Sequence, residues 1–149
     1  MSIYSKQVEV RWSDLDPNYH LRHSVYYDWC AYLRLCFLNE HALTPSVLQQ
    51  MHFGPILFRE ECVFKREIVF GDIVTVNVAI SKSRKDFSRW SMQHEVWKNH
   101  EILSAIVTVD GAWIDTALRK LTVPPSLMQQ AFDALPKAAN FEWTEPSNK

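Results

Sequence analysis

The sequence predicts an α+β domain in which an antiparallel sheet wraps around one long central helix. Residues 24–41 carry apolar side chains at helical spacing on nearly every side, which is typical of a helix buried over most of its surface. After Ile56 the hydrophobic period changes from helical to two, as in strands. The later strands are separated by polar turns too short for crossover helices, so they should run antiparallel.

The individual elements follow in order along the chain. Apolar and polar side chains alternate over residues 7–12, which predicts a first strand ahead of the long helix. Thr44 as N-cap and Pro45 at the first helical position predict a short second helix over 43–51. Alternating apolar and polar residues, bounded by polar turns, predict strands over 74–81, 87–97 and 102–114. A short helix is predicted over 125–135.

Length and composition favour one globular domain over residues 1–136, followed by a polar tail over 137–149. The chain has 149 residues, 47% of them hydrophobic and 13% aromatic, which argues against disorder. A net charge of −1 gives no electrostatic reason to expect nucleic acid or an anionic membrane surface as partner. The polar start and the lack of a long apolar run predict no signal peptide and no membrane span, hence a cytoplasmic protein.

The segment between the first strand and the long helix carries the side chains best suited to catalysis. It holds Asp14, Asp16, His20 and His23 and leads into a helix that we expect to begin at Ser24. A carboxylate beside a helix N-terminus can handle the proton or the attack in addition to a carbonyl. The free backbone N–H groups and the positive end of the helix dipole can polarise the carbonyl oxygen. The segment therefore predicts acyl chemistry.

These residues resemble the hotdog-fold thioesterases of the 4-hydroxybenzoyl-CoA and Tol-Pal-associated acyl-CoA types. Their pattern runs from Asp-x-Asp through a small-residue loop to a His or Asn just before a helix-opening x-x-Tyr. Asp14 and Asp16 fill the paired positions, and Asp16 matches the catalytic carboxylate. His23 matches the His of the Tol-Pal-type members, and Tyr26 matches the helical Tyr. His20 matches the His of the Gly-His version of the loop.

Two positions depart from this pattern. Tyr19 stands where the family usually has a small residue, and Arg22 stands where the Gly-His version has Asn. Tyr19 bears on the backbone path of the loop and on the shape of the acyl pocket, but not on Asp16. The resemblance extends weakly through Glu60 and the turn at 70–72 to about Ile114.

The resemblance implies a hotdog fold and hydrolysis of an acyl-CoA to the free acid and CoA, with no cofactor. Asp16 would act as general base on water, or as a nucleophile that gives a mixed anhydride. His23 would orient Asp16 or water, or lend its backbone N–H to the thioester oxygen. The residues expected to contact substrate in this segment are Tyr19, His20, Ser24 and Tyr26. Acyl carrier protein could carry the acyl group in place of CoA.

A basic cluster at a predicted hairpin turn suggests a site for the CoA phosphates. Arg84, Lys85 and Arg89 lie close together in the sequence, and cations at the mouth of a pocket would hold phosphate groups. Charge clusters at turns are more often only solvated. Both interpretations stay open at the level of sequence.

Other interpretations compete with catalysis by Asp16. Asp16 could be only a turn residue or helix cap, because Asp before Pro is common in loops. Glu60 could help catalysis or could form an ion pair with Arg59 or Arg66. A metal site built from the aspartates and histidines is the minority interpretation, so we expect no bound metal. Cys30 as a nucleophile is opposed by its position in the middle of a buried helix. The functional rivals are a hotdog hydratase or dehydratase and a non-catalytic acyl-CoA-binding module.

A single sheet around one helix leaves edges and an outer face that need covering. Trp90, Trp97 and Trp113 lie in predicted strands, where a monomer would expose some of them. We therefore expect a homodimer or homotetramer with an acyl site shared between chains.

Overall fold

The computed structural model describes residues 3–145, which form one seven-stranded sheet with three α-helices. The strands are β1 Tyr4–Val8, β2 Phe53–Phe64, β3 Val74–Arg84, β4 Arg89–Lys98, β5 Ile102–Asp115, β6 Lys120–Leu121 and β7 Lys137–Thr144. The helices are α1 His23–Glu40, α2 Pro45–Gln50 and α3 Ser126–Asp133. In this described part of the chain, no helix is long and apolar enough to cross a membrane.

The predicted antiparallel meander is present. The strand order is β1-β3-β4-β5-β2, with β6 beside β5. Antiparallel pairing joins β3 to β4 from Val74↔Lys98 to Ser83↔Trp90, and β4 to β5 from Arg89↔Ala112 to Lys98↔Ile102. The order leaves β2 at one edge of the sheet, and the long helix packs against the sheet's inner face.

Helix α1 is buried on most sides but not on all of them. Its buried residues are Val25, Tyr26, Trp29, Cys30, Leu33, Phe37 and Leu38. Tyr32 is 54% exposed and Leu35 is 45% exposed, so the expectation of burial nearly all round is wrong for these positions. Tyr32 and Leu35 lie on a stripe of the helix that the described residues leave exposed, together with Asp28 and Asn39.

The short second helix is confirmed together with its cap. Helix α2 begins at Pro45, and the hydroxyl oxygen of Thr44 accepts a hydrogen bond from the backbone N–H of Val47 at 3.2 Å. This bond satisfies one of the N–H groups that a helix start leaves without a partner.

The prediction of a polar tail from Lys137 is wrong for residues 137–144, which form β7. Strand β3 has eleven residues, but β1 pairs only with its first half, Val74–Val78. The rest of that edge pairs in parallel with β7, as far as Arg84↔Thr144. Trp143 anchors the strand by packing edge-on against Phe87 at 5.7 Å. Residues 146–149 of the predicted tail lie outside the described residues.

The strand tryptophans do not supply the exposed apolar surface that we expected. Trp90 is 4% exposed and Trp113 is 0% exposed, because both point to the inner face and pack against Phe132 of α3. Trp97 points to the outer face and is half-buried. Exposed apolar side chains lie instead on the edge strand β2, namely Leu57, Phe58, Val63 and Phe64.

Candidate active site

The loop between β1 and α1 brings Asp16 to the start of the helix through a tight turn. The backbone N–H of Asp16 donates to the carbonyl of His20 at 2.8 Å, and the N–H of Tyr19 donates to the carbonyl of Asp16 at 3.0 Å. Tyr19 has a φ of 65°, in the left-handed region. A non-glycine residue there costs about 1–2 kcal/mol. The chain thus keeps the tight turn despite having Tyr where the family pattern has a small residue.

The Asp16 carboxylate is held by the loop itself. Its Oδ1 accepts hydrogen bonds from the backbone N–H groups of Asn18 at 2.8 Å and His20 at 3.3 Å. Its Oδ2 lies 2.8 Å from Nδ1 of His20. The side chain is still 24% exposed, so an incoming water or substrate can reach it.

His20, and not His23, is the histidine that contacts Asp16. Its Nδ1 bonds the carboxylate, and its Nε2 lies 3.8 Å from Oε2 of Glu67. His20 therefore lies between two carboxylates and fixes the orientation of one of them. His23 lies at the first position of α1 with an exposed side chain, and no hydrogen bond joins it to Asp16 within residues 3–145.

The first turn of α1 leaves backbone donors open beside this carboxylate. Arg22 precedes the helix, and its side chain makes no capping hydrogen bond. The N–H of Val25 donates to the carbonyl of Arg22 at 3.0 Å, whereas those of His23 and Ser24 have no backbone partner within the described chain. Open N–H groups and the positive end of the helix dipole together favour a negatively charged oxygen.

Tyr26 lies in the first turn of α1 and forms the inner wall beside Asp16. Its ring is buried and meets Phe64 edge-on at a centroid distance of 5.1 Å. Burial, with smaller contributions from Cys62 and Asp16, raises the pKa of Tyr26 to about 12. The phenol therefore stays protonated at neutral pH and can only contribute a neutral hydroxyl.

These groups line a cleft of about 370 Å³, called here the Asp16 cleft. Its lining residues are Asp16, His20, Leu21, His23, Tyr26, Phe64, Lys65, Arg66 and Glu67. The structure thus brings together Asp16, His20, His23 and Tyr26, as predicted. Ser24 contributes a backbone N–H at the helix start. Tyr19 is not in the lining and its side chain is 70% exposed, so its contact with substrate stays a prediction.

Two cations at the cleft were missed by the sequence analysis. Lys65 and Arg66 follow directly after β2, and the N–H groups of both donate to the carbonyl of Ser104, at 2.8 and 3.0 Å. These bonds to β5 turn the chain so that both residues line the cleft. The available signal was a Lys-Arg pair at a strand end, within the region that the family resemblance covers.

The basic hairpin lies elsewhere in the molecule. Arg84, Lys85 and Arg89 follow the far end of β3, whereas Val74 at its near end pairs with Val8, which leads into the Asp16 loop. Eleven strand residues put about 30 Å between these two ends. The strand therefore carries this cluster to the opposite end of the sheet from the cleft of its own chain, and its contact with CoA stays a prediction.

Asp14 and Glu60 have structural partners. Asp14 is buried and accepts hydrogen bonds from the backbone N–H and guanidinium of Arg11, which hold the pKa of its carboxyl below the usual range. Glu60 lies 3.8 Å from Arg34. The suggested pairing of Glu60 with Arg59 or Arg66 is wrong, since Arg34 reaches it from the facing helix.

Two of the three thiols are held in their protonated form by burial. Burial raises the pKa of the Cys30 thiol to about 12 and that of the Cys62 thiol to about 11, so both stay protonated at neutral pH. A protonated thiol is a poor nucleophile. No group of three or more His, Cys, Asp or Glu side chains between residues 3 and 145 has a metal-binding arrangement.

Comparison with known families is decisive at this point. A sequence model of the thioesterase-like superfamily matches residues 10–132, which include the whole Asp16 cleft. The chain belongs to the thioesterase-like superfamily. No curated protein sequence matches it.

Solved structures similar to this chain share the fold. A Staphylococcus aureus protein in complex with CoA is 16% identical, with a TM-score of 0.81 and coverage of 93% of this chain and 89% of that one. A 1,4-dihydroxy-2-naphthoyl-CoA thioesterase from Synechocystis is 18% identical, with a TM-score of 0.79 and coverage of 90% and 98%. A Thermus thermophilus thioesterase complexed with coenzyme A and Zn is 26% identical, with a TM-score of 0.71 and coverage of 89% and 92%. The predicted α+β hotdog fold is confirmed.

Proposed function

We propose that this protein hydrolyses an acyl-CoA to the free acid and CoA in the Asp16 cleft. The observation that carries the proposal is the position of the Asp16 carboxylate beside the open N–H groups at the start of α1. Membership of the thioesterase-like superfamily supports the reaction class. The Asp16-to-Tyr26 pattern supports the finer assignment to the 4-hydroxybenzoyl-CoA or Tol-Pal-associated type.

Asp16 supplies the chemical group that a thioester requires. As general base it takes a proton from water, which attacks the carbonyl carbon, and the C–S bond then breaks to release CoA. As nucleophile it attacks the carbon itself, CoA leaves, and water hydrolyses the mixed anhydride. His20 holds Oδ2 in either route, and Oδ1 is held by two backbone N–H groups.

The helix start stabilises the oxyanion that both routes produce. The N–H groups of His23 and Ser24 lie at the positive end of α1 and have no backbone partner in the described chain. A donor of this kind lowers the barrier by roughly 3 kcal/mol in comparable sites. His23 therefore acts in this proposal through its backbone.

CoA would bind with its phosphates near Lys65 and Arg66, the cations that line the cleft. Two of the similar structures were solved with CoA, which supports a CoA thioester as substrate over one of acyl carrier protein. Arg84, Lys85 and Arg89 could contribute only from a second copy of the chain.

We also propose a homodimer or homotetramer. Exposed apolar residues on the edge strand β2, such as Phe58 and Val63, lie beside unpaired strand edge. Such an edge is suited to pairing with a second copy.

The three free cysteines are compatible with a reducing compartment such as the cytoplasm.

The direct test is an assay of purified protein with short-chain, long-chain and aromatic acyl-CoAs and with an enoyl-CoA. We expect release of one thiol for each free acid formed. Hydration of the enoyl-CoA without thiol release would identify a hydratase instead. CoA-ester binding with neither reaction would identify a non-catalytic binding module.

A further inference from the structure

A second cavity, of about 330 Å³, lies beneath the C-terminal half of α1 and is called here the apolar cavity. Helix α1 contributes Ala31 and Leu35, and the inner face of the sheet contributes Trp90. Phe132 and Leu135, in and just after α3, form another part of its wall. Ala31 and Leu35 are exposed, so the cavity opens to solvent.

The walls of this cavity are hydrocarbon. Fourteen of its fifteen lining residues are apolar, and the exception is Arg34. The Arg34 guanidinium is directed to other groups, since its Nη1 lies 2.7 Å from Nε2 of His94 and its Nη2 lies 3.8 Å from Glu60. A recessed surface of this composition is suited to an apolar ligand.

The apolar cavity lies at the other end of the same helix and strand that carry the Asp16 cleft. Along α1, His23 lines the cleft, whereas Ala31 and Leu35, two and three turns further on, line the cavity. Strand β2 runs the opposite way, with Leu57 at the cavity and Phe64 at the cleft. Ala31 lies about 12 Å along the helix axis from His23.

We propose that the apolar cavity receives the far end of the acyl group, and that the acyl group is an unsubstituted hydrocarbon chain of medium or greater length. This inference rests on the proposed thioesterase function. A short acyl group bound at Asp16 does not span the roughly 12 Å to Ala31. A longer chain gains hydrophobic free energy with each methylene group that enters the cavity. Phe132 and Leu135 contribute part of the wall that limits its length.

The first experiment blocks the cavity without touching Asp16. Ala31 is exposed and small, so Ala31→Phe places a ring at the cavity wall with little cost to folding. We expect kcat/KM for dodecanoyl-CoA to fall by about tenfold or more, with that for butanoyl-CoA nearly unchanged. Asn39→Phe is the matched control, because Asn39 is exposed on the same helix but lines neither site. Equal losses on both substrates, or no loss on either, would overturn the proposal.

The second experiment detects occupancy without catalysis. Trp90 and Trp113 line the cavity, so ω-bromododecanoic acid should quench tryptophan fluorescence by contact, and unbrominated dodecanoic acid should not. Ala31→Phe should abolish the quenching. Dodecanedioic acid should fail to compete, because its second carboxylate would have to enter a hydrocarbon site. Absence of quenching, or equal competition by the dicarboxylic acid, would contradict the proposal.

The two experiments separate this inference from the proposed function. Quenching that Ala31→Phe removes, in a protein that hydrolyses no thioester, would support the cavity assignment and reject the thioesterase. Hydrolysis without quenching and without chain-length dependence would support the thioesterase and reject the cavity assignment.

Discussion

The two ends of helix α1 differ in how their polar groups are used. At the N-terminal end, the backbone N–H groups of His23 and Ser24 lack backbone partners, and the Asp16 carboxylate remains partly exposed. Beneath the C-terminal half, the polar groups bind one another, as Arg34 and His94 do. The comparison teaches that one helix can present reactive polarity at one end and a hydrocarbon surface at the other. The two ends differ both in residue composition and in unused hydrogen-bonding capacity.

The hydrogen bond between Arg34 and His94, near the apolar cavity, is the most deeply buried example of such pairing. His94 is completely buried, its Nδ1 lies 2.9 Å from the carbonyl oxygen of Asn77, and its Nε2 lies 2.7 Å from Arg34. Because the carbonyl can only accept and the guanidinium can only donate, the imidazole must be neutral. Burial, with a smaller contribution from the positive charge of Arg34, lowers the pKa of His94 to about 3.

The largest expected effect follows from this histidine. The ordinary pKa of histidine is 6.5. Between pH 6.5 and about 3, His94 is therefore protonated in the unfolded chain but neutral in the folded chain. The free energy of unfolding should therefore fall as pH falls, by up to about 1.4 kcal/mol per pH unit from this group. Urea unfolding measured across this range tests the slope.

Two variants isolate the contribution of His94. His94→Gln keeps a donor and an acceptor but does not titrate, so the slope should flatten. His100→Gln changes an exposed histidine in a turn and should leave the slope as in wild type. Identical slopes in wild type and His94→Gln would contradict the account of His94 as a buried, neutral imidazole.

The next effect concerns packing at the apolar cavity. A Cβ on Gly111 would lie 2.4 Å from the Trp90 ring and 2.9 Å from the carbonyl oxygen of Ile56. Gly111→Ala should cost about 1–3 kcal/mol of unfolding free energy, because the backbone oxygen cannot move aside freely. Gly54→Ala is the matched control, since its nearest contact would be an ordinary 3.7 Å to Thr116. Comparable denaturation midpoints for both variants would show that Trp90 relaxes into the cavity.

The smallest effect concerns the cations of the Asp16 cleft. Replacing Lys65 and Arg66 together with Ala should raise KM for acyl-CoA about five- to tenfold with little change in kcat, because phosphate contacts do not change in the transition state. The penalty should shrink with acyl-pantetheine, which lacks the nucleotide. The control is the Arg84→Ala and Lys85→Ala double variant. A larger penalty in that control would show that the hairpin of a second chain binds CoA.

The long helix and part of the cleft could be predicted from the sequence, whereas the first strand, predicted over 7–12, lies at Tyr4–Val8. The helical pattern over 24–41 gave α1 to within one residue, and the motif identified four of the residues that line the cleft, Asp16, His20, His23 and Tyr26. Both depend on neighbours in the chain, where side-chain spacing and turn chemistry determine the geometry.

Features that depend on distant partners could not be predicted in the same way. Lys65 and Arg66 reach the cleft because their N–H groups bind Ser104, which lies about forty residues further along the chain. Strand β7 forms because β1 leaves half of one β3 edge unpaired. Arg34 pairs with Glu60 and His94 across the helix–sheet interface. These contacts join residues far apart in the sequence, so no local pattern of residues predicts them.

The central claim is that Asp16 hydrolyses the thioester while Asp14 supports the loop. Thiol release by Asp16→Asn and Asp14→Asn tests it directly, since both variants remove one negative charge from the same loop. We predict that Asp16→Asn loses on the order of 100-fold or more in turnover while remaining folded. Asp14→Asn should keep most of its activity at neutral pH, because Asp14 is buried against Arg11 and lies outside the cleft lining. Near wild-type turnover in a folded Asp16→Asn protein, or a greater loss in Asp14→Asn, would contradict the account.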